Sequence, residues 1–531
     1  MVEKRVSEEL EVSLDTGEQY QPIVGMATRV VRGGLWSLGG QGVMILASVL
    51  ATPFIIRFLG SEAYGVLSLI NVVIGYLIFS DLGMGAAATR FGADAHARGN
   101  DSEEAAIVWT SLLVGLVPAM LAAMLLILGA RPLVERVLHL PEHFQATTIF
   151  ALRLATVGFI ARSIAGVINS SQLVRLRLDV YTMINAGSMV FQYCLVPFAL
   201  FLEGGLIAAV GVISGVSVAA AIVHAVASLR LLPSLVWPTI RSTFVVPLVR
   251  YGGALAISAL AGLMLVNTEK LFLTRFVSVQ ALAYYSVASY LAGLLAMVPG
   301  TMSQGLFPAF TKLHASPTPE PLQQLYNRAL RGTVLGIAPA ALLMYVFAQP
   351  FISVWAGAEF GRESVVPFYI LVVGVIFNVM TYVPCCLFQA VGKTDVIARY
   401  RSAEVVPYVL GAGLLTYWFG IVGAALAASV RCIIDALLLF LAAGRSCRMP
   451  FSPIPGNRRS YFYAVSLLFV PVLLIGGAVA TPAVRSGVTF IALAAYGTLV
   501  WARVLTEEER AWLHTILPRR RPMENSSKAD K

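Results

Sequence analysis

The chain has 531 residues, of which 58% are hydrophobic and only 12% charged, and its formal net charge is +10. A soluble domain carries about 25% charged residues, so this composition excludes a disordered chain and argues against a soluble enzyme. At about 20 apolar residues per crossing, the apolar residues are enough for roughly a dozen membrane spans.

The apolar residues come in continuous runs rather than in alternation. They therefore read as helices and not as barrel strands, the two solutions that satisfy every backbone polar group in hydrocarbon. In chain order the runs are 34–56, 64–82, 106–129, 146–169, 180–202, 205–229, 251–274, 282–306, 332–356, 365–389, 403–418, 420–443, 461–480 and 486–504. The eleventh is short, and Gly420 alone separates it from the twelfth. The predicted fold class is an all-α polytopic membrane protein with about 14 transmembrane helices. The first run follows a long polar stretch without a small-residue cleavage site and leads into further spans, which is not the pattern of a cleaved signal peptide. Residues 1–30 carry Glu3, Glu8, Glu9, Glu11, Asp15 and Glu18 and are predicted to be a disordered cytoplasmic tail. Residues 506–531 form a second cytoplasmic tail.

Lys and Arg in the loops set the orientation. With the N-terminus inside, the inner segments carry about four times as many of these residues as the outer ones, which places both termini in the cytoplasm. Basic clusters such as Arg519, Arg520 and Arg521 suit anionic membrane lipids. There is no basic domain for nucleic acid. No extramembrane segment is long enough to hold a soluble catalytic domain, so no enzyme is expected. Gly392-Lys393-Thr394 is the tail of a phosphate-binding loop without its head, because position 387 is Leu. The scattered Cys and His residues give no disulfide framework, no metal site and no cofactor site. The spacings Gly211 to Gly215 and Gly332 to Gly336 predict close helix contacts. Pro299-Gly300, Pro339, Pro367, Pro384 and Pro407 predict bent helices.

The chain also repeats itself. Arg32-Gly33-Gly34 precedes span one, and Arg250-Tyr251-Gly252-Gly253 opens span seven. Arg57-Phe58 matches Arg275-Phe276. Gln172 with Asp179-Val180 matches Gln389 with Asp395-Val396, and Gly205-Leu206-Ile207 matches Gly420-Ile421-Val422. The offset drifts from about 219 to about 215 residues. Four matches in order predict two halves of six spans each, inserted the same way and related by an axis along the membrane normal. The predicted organisation is an N-terminal six-helix bundle at 31–230, a cytoplasmic linker at 231–250, a C-terminal six-helix bundle at 251–445, and two additional helices within 446–505. Such a pair of pseudo-symmetric bundles reads as an alternating-access transporter with a substrate site between the halves.

Several stretches resemble the polysaccharide-transporter branch, of the O-antigen flippase type, of the multidrug/oligosaccharidyl-lipid/polysaccharide (MOP) exporter superfamily. They are Arg57-Phe58-Leu59-Gly60 with Tyr64-Gly65, then Asp81-Leu82-Gly83 with Arg90. Phe276 through Tyr284-Tyr285, Leu306-Phe307-Pro308, Gly392-Lys393 and Gly420 through Ala425 follow. The resemblance runs over about residues 30–445. It implies a V-shaped pair of bundles in the bacterial inner membrane that flips polyprenyl-pyrophosphate-linked oligosaccharide for O-antigen, capsule or exopolysaccharide assembly. It also implies partners among polysaccharide polymerases and glycosyltransferases. The alternative is a cation-coupled multidrug antiporter of the same superfamily. No counterpart of the arginine cluster in the first two helices of the peptidoglycan-precursor flippases is present.

A pyrophosphate cargo needs cationic groups along a wet path, and each ionisable group inside a span is a functional candidate. The path candidates are Arg153, Arg162, Asn267, Lys270 and Arg431. Arg153 and Arg162 lie about 13 Å apart along span four, half a turn out of phase, so an ideal helix does not point both into one cavity. Lys270 is expected to snorkel toward the interface. Arg431 and Asp435 stand at i, i+4 on one face of span twelve. They are either a buried structural pair or a protonatable carboxylate that releases its arginine. The coupling candidates are Asp81, Glu269 and Asp435. Asp81 ends span two before Gly83 and also suits a cap or hinge.

Overall fold

The computed structural model describes residues 17–314, 318–447, 449, 482–505, 507 and 510. The thirteenth predicted span, 461–480, and most of both predicted tails lie outside the described residues. Among the described residues every regular element is helical and none is a strand. The helices are α1 (Gly17–Leu77), α2 (Met84–Ala97), α3 (Asp101–Pro132), α4 (Glu142–Ile168), α5 (Ser170–Val174), α6 (Leu178–Phe201), α7 (Gly205–Leu231) and α8 (Val245–Phe276). They continue with α9 (Val279–Gly293), α10 (Met297–His314), α11 (Glu320–Trp355), α12 (Ala358–Glu363), α13 (Val365–Met380), α14 (Tyr382–Ala390), α15 (Thr394–Cys447) and α16 (Pro482–Leu499). Eleven helical stretches among the described residues are long and apolar enough to cross a membrane. The fold is an all-α polytopic membrane protein.

Two of those stretches contain two predicted spans each. In α1 the break falls at Gly60 (φ 78°, ψ 170°), and in α15 it falls at Gly420 (φ 58°, ψ −132°). Both conformations are open to glycine and strained for residues with a Cβ. At Gly420 the chain reverses. A Cβ on Gly423 would overlap the carbonyl of Leu415, and Lys393 Nζ, next to the start of α15, donates to Ser446 O near its end at 2.7 Å. Lys393 thus caps a helix end.

Helix also extends beyond the predicted crossings. The segment 83–105 contains α2, and α10 runs on to His314. Hydropathy marks where a helix meets water, not where it stops, and polar helical turns such as Arg90-Phe91-Gly92-Ala93-Asp94 carry no apolar signal. Span eight breaks into a tight turn at Leu294–Ala296, just ahead of Pro299. Span ten divides at Thr381, just ahead of Pro384. In both places the proline ring removes a helix donor.

The described residues form two compact units. The first takes in the residues up to Tyr290 together with Ile352–Leu371 and Ala398–Arg431. The second takes in Leu291–Phe351, Val372–Ile397 and the described residues from Cys432 on. The core of the first unit gathers Val66, Leu69 and Ile70 of α1, Ala119 and Ala123 of α3, Leu152 and Phe159 of α4, and Val210 of α7. Val279 and Leu282 of α9 join the same core. A second cluster packs Met84 and Ala88 of α2 against Ala105 and Val108 of α3 and Leu248 of α8. In the second unit Leu342 and Val346 of α11 pack on Tyr496 of α16, and the Tyr496 hydroxyl donates to Leu335 O at 2.8 Å.

The predicted linker 231–250 is stitched to the first unit. Leu232 and Leu235 are buried. Trp109 Nε1 donates to Leu235 O at 3.0 Å, Ser234 Oγ donates to Asp101 O at 2.9 Å, and the Arg241 amide donates to Thr110 Oγ1 at 3.1 Å.

The glycine spacing predicts the close helix contacts only in part, since a Cβ on Gly211 would meet Leu154 of α4 at 3.7 Å. Among the described residues nothing approaches within 4 Å of a Cβ built on Gly215, Gly332 or Gly336. A Cβ on Gly65 would instead overlap the Val279 carbonyl, one on Gly85 the Gly166 carbonyl, and one on Gly252 the Leu82 carbonyl. Spacing places two glycines on one helix face but does not say what that face meets. Gly65→Ala should therefore lower the unfolding midpoint in detergent, with a cost of about 1–3 kcal/mol for forcing α1 and α9 apart. Gly336→Ala should leave the midpoint unchanged or raise it, since Ala exceeds Gly in helix propensity by about 1 kcal/mol.

Candidate functional site

The polar centre of the first unit is Glu269. It lies on α8 and is only 2% exposed. A carboxylate in that position is costly unless it is hydrogen-bonded. Two tyrosines supply the donors. Tyr285 of α9 donates to Oε1 at 3.1 Å, and Tyr408 of α15 donates to Oε2 at 2.5 Å. Each carboxylate oxygen thus receives a phenol from a different helix. Leu265 of α8 packs with Tyr408, Ala412 and Ala427 of α15 and holds the helices at that spacing. The Arg431 guanidinium lies 5.6 Å from the centre of the Tyr408 ring, close enough for a cation–π contact. Immediately before Glu269, the Thr268 hydroxyl donates to Met264 O at 2.6 Å and meets the Tyr76 hydroxyl of α1 at 3.3 Å.

Arranged this way, the cluster can hold a proton or accept a cation between helices that are far apart in sequence. Its hydroxyl donors compensate Glu269 without neutralising it.

The other candidates are dispersed. Lys270 does not extend toward an interface as expected. Its Nζ donates to Asn267 Oδ1 at 2.8 Å, one turn back on α8, because a near carbonyl oxygen on the same helix satisfies the ammonium. Arg153 and Arg162 both occupy exposed positions of α4. Each bonds a backbone carbonyl through Nε, Arg153 to Ile127 O at 3.2 Å and Arg162 to Gly158 O at 3.3 Å. Neither has a carboxylate partner among the described residues. Asp81 is half-buried and accepts from the Gly83 amide at 2.8 Å, where Leu82 (φ 54°) and Gly83 (φ 64°) turn the chain into α2. Asp435 is buried on the continuous helix that carries Arg431, but it belongs to the second unit.

Sequence reading missed two sets of residues. Tyr408 and Tyr285, which the resemblance names without a role, are one; a phenol within an apolar run does not say what it meets. The other is an ion-pair cluster built on Glu104 of α3, which is fully buried. Arg175 donates to Glu104 Oε1 at 2.5 Å and to Asp101 Oδ1 at 3.2 Å, and His96 Nδ1 lies 3.7 Å from Glu104 Oε2. Nearby, the buried Gln172 donates to His224 O and Ser228 Oγ, both at 3.2 Å. The Arg175 contacts fasten the α2–α3 and α5–α6 connections to one another, and Gln172 ties α5 to α7.

A family model described as polysaccharide biosynthesis protein matches residues 30–314. A candidate O-antigen transporter of Shigella flexneri is 22% identical over 427 residues, covering 79% of this chain and 98% of that protein. Among solved structures, the lipid II flippase MurJ in its inward closed conformation superposes with a TM-score of 0.63 at 12% identity, covering 91% of this chain and all of that one. An inward-facing multidrug resistance MATE family transporter of the MOP superfamily superposes with a TM-score of 0.63 at 14% identity, covering 74% and 93%. At these identities the structural likenesses speak for the fold.

Truncating Glu269 would strand two buried hydroxyls at about 1–3 kcal/mol each. Glu269→Ala should lower the unfolding midpoint well below that of Tyr408→Phe, and the double variant should lose less than the two single losses together. Strict additivity would show that Glu269 and Tyr408 do not interact.

Proposed function

Because the chain belongs to the polysaccharide biosynthesis protein family, we propose that it flips polyprenyl-pyrophosphate-linked oligosaccharide from the cytoplasmic to the outer leaflet of the bacterial inner membrane. It is a polytopic membrane transporter with the fold of the MOP superfamily, not an enzyme. The observation that carries the cargo assignment is the family match over residues 30–314, supported by the alignment with 98% of the Shigella flexneri protein.

In this reading the segments 31–230 and 251–445 are two rocking bodies, with 231–250 between them, 446–505 appended, and both termini cytoplasmic. The pyrophosphate and sugars cross through a hydrated path while the prenyl tail stays in lipid. Arginine suits the phosphate because it stays charged and presents a planar fork of donors. Arg153, Arg162 and Arg431 are the arginines that the path would use, with Lys270 and Asn267 as a polar step. Glu269 is the coupling carboxylate that the geometry favours, since it is buried and each of its oxygens accepts from a phenol, Tyr285 or Tyr408, of the same C-terminal body. Asp81 and Asp435 are the other carboxylates to test. Polymerase and glycosyltransferase partners would hand over and receive the cargo.

Lipid extracts of a strain lacking this protein should accumulate one lipid-linked oligosaccharide and lose the corresponding surface polymer, read by mass spectrometry. Restoring the chain should reverse both effects, and restoring Glu269→Gln should do so at least tenfold less efficiently. Unchanged lipid intermediates together with drug hypersensitivity would move the assignment to a cation-coupled multidrug antiporter.

A further inference from the structure

We propose that the segment Trp355–Glu363 is a latch that holds the outer end of the transport path shut and lifts to release cargo. The inference rests on the alternating-access reading above, which makes the Gly60 end the outer end.

The segment is short and self-contained. After Trp355 closes α11, Gly357 turns the chain at φ 112° and ψ 159°, and α12 follows at Ala358–Glu363. A Cβ on Gly361 would overlap the Ser353 side chain, so the segment is folded tightly onto itself. The Ser364 amide donates to Phe360 O at 2.9 Å.

It reaches two other stretches of the first unit, 48–64 and 279–290. Phe360 is the plug. It is 2% exposed, and its ring meets Tyr64 edge-on at 6.4 Å and Tyr284 edge-on at 5.1 Å. On one side, Glu359 accepts from the Tyr284 hydroxyl and from Gln280 Nε2 at 2.8 Å, and the same Gln280 amide donates to Ser61 Oγ at 3.0 Å. On the other, Trp355 Nε1 donates to Val49 O at 2.9 Å, and Arg57 donates to the carbonyl of Val354, the residue just before the segment, at 3.0 Å. The Trp355 ring stacks on Tyr290 with centres 6.5 Å apart, and the Tyr290 hydroxyl bonds to Ser48. The segment therefore ties helix α9 of the second sequence half to α1 of the first. Both lie directly beside the core contact of Val279 with Gly65.

Two features make this a latch rather than a permanent brace. The rim groups Arg57 and Glu359 are exposed, so their hydrogen bonds exchange for water at little net cost. The segment's own turn and helix are held by internal contacts, so it can lift as a unit with one aromatic ring withdrawn from its seat.

The test starts with backbone hydrogen exchange of the purified full chain in detergent, a measurement that needs no cargo. In Phe360→Ala, residues 279–290 and 58–66 should exchange about tenfold faster than in the native chain while the α4 and α7 cores stay protected. Glu359→Ala is exposed and leaves the core intact, and it should shift the same residues less. Unchanged protection there in both variants would overturn the latch. The second arm joins Ser61→Cys and Gln280→Cys by oxidation. Transport should stop and should return on reduction. An oxidised pair that transports normally would show a static brace and also overturn it. Faster exchange in purified Phe360→Ala, together with unchanged lipid intermediates in a strain lacking the protein, would retain the latch and reject the cargo assignment instead.

Discussion

Helices in a bilayer gain little by burying apolar surface against each other, because the surrounding chains are equally apolar; they hold together by close approach and by polar contacts. That constraint shapes this molecule throughout. Where α1 meets α9, where α2 meets α4 and where α8 meets the Asp81 turn, a glycine lets one backbone touch the next. The fully buried residues of the first unit include many alanines, such as Ala87, Ala88, Ala119 and Ala151. Contacts of this kind are short-ranged, so they are either made or lost.

Polar groups placed within such blocks then act as selective fasteners. Glu269 accepts hydroxyl hydrogen bonds from α9 and α15 and makes no salt bridge among the described residues, so the contacts that hold it are ones that can exchange. The Glu104–Arg175 cluster is the opposite case. A buried carboxylate there is matched directly by a guanidinium, and breaking such a pair by removing one partner costs several kcal/mol. One cluster is suited to change and the other to permanence, and both sit in the same compact unit.

The sequence made the helical class and most crossings legible because each crossing needs a continuous apolar run, and Gly420 was enough to mark the reversal in α15. It marked Glu269, Arg431 and Asp435 because an ionisable group in an apolar run is conspicuous. It did not show what they touch. Tyr408 lies 139 positions from Glu269, and a tyrosine in a span is compatible with core, interface or ligand roles. The direction of Lys270 was missed because a neighbour on the same helix, Asn267, competes with the interface for its ammonium. The extension of α2 and α10 past the apolar limits was missed because hydropathy reports solvent, not backbone conformation.

The stitched connection after α7 has a consequence for the chain as a piece of mechanical linkage. With Leu232, Leu235, Ser234 and Arg241 anchored to α3, the free length between α7 and α8 shrinks to the few residues before Val245, all within the first unit. A protease should find little to cut there, and halves expressed as separate polypeptides should reassemble best when residues 231–241 travel with the first.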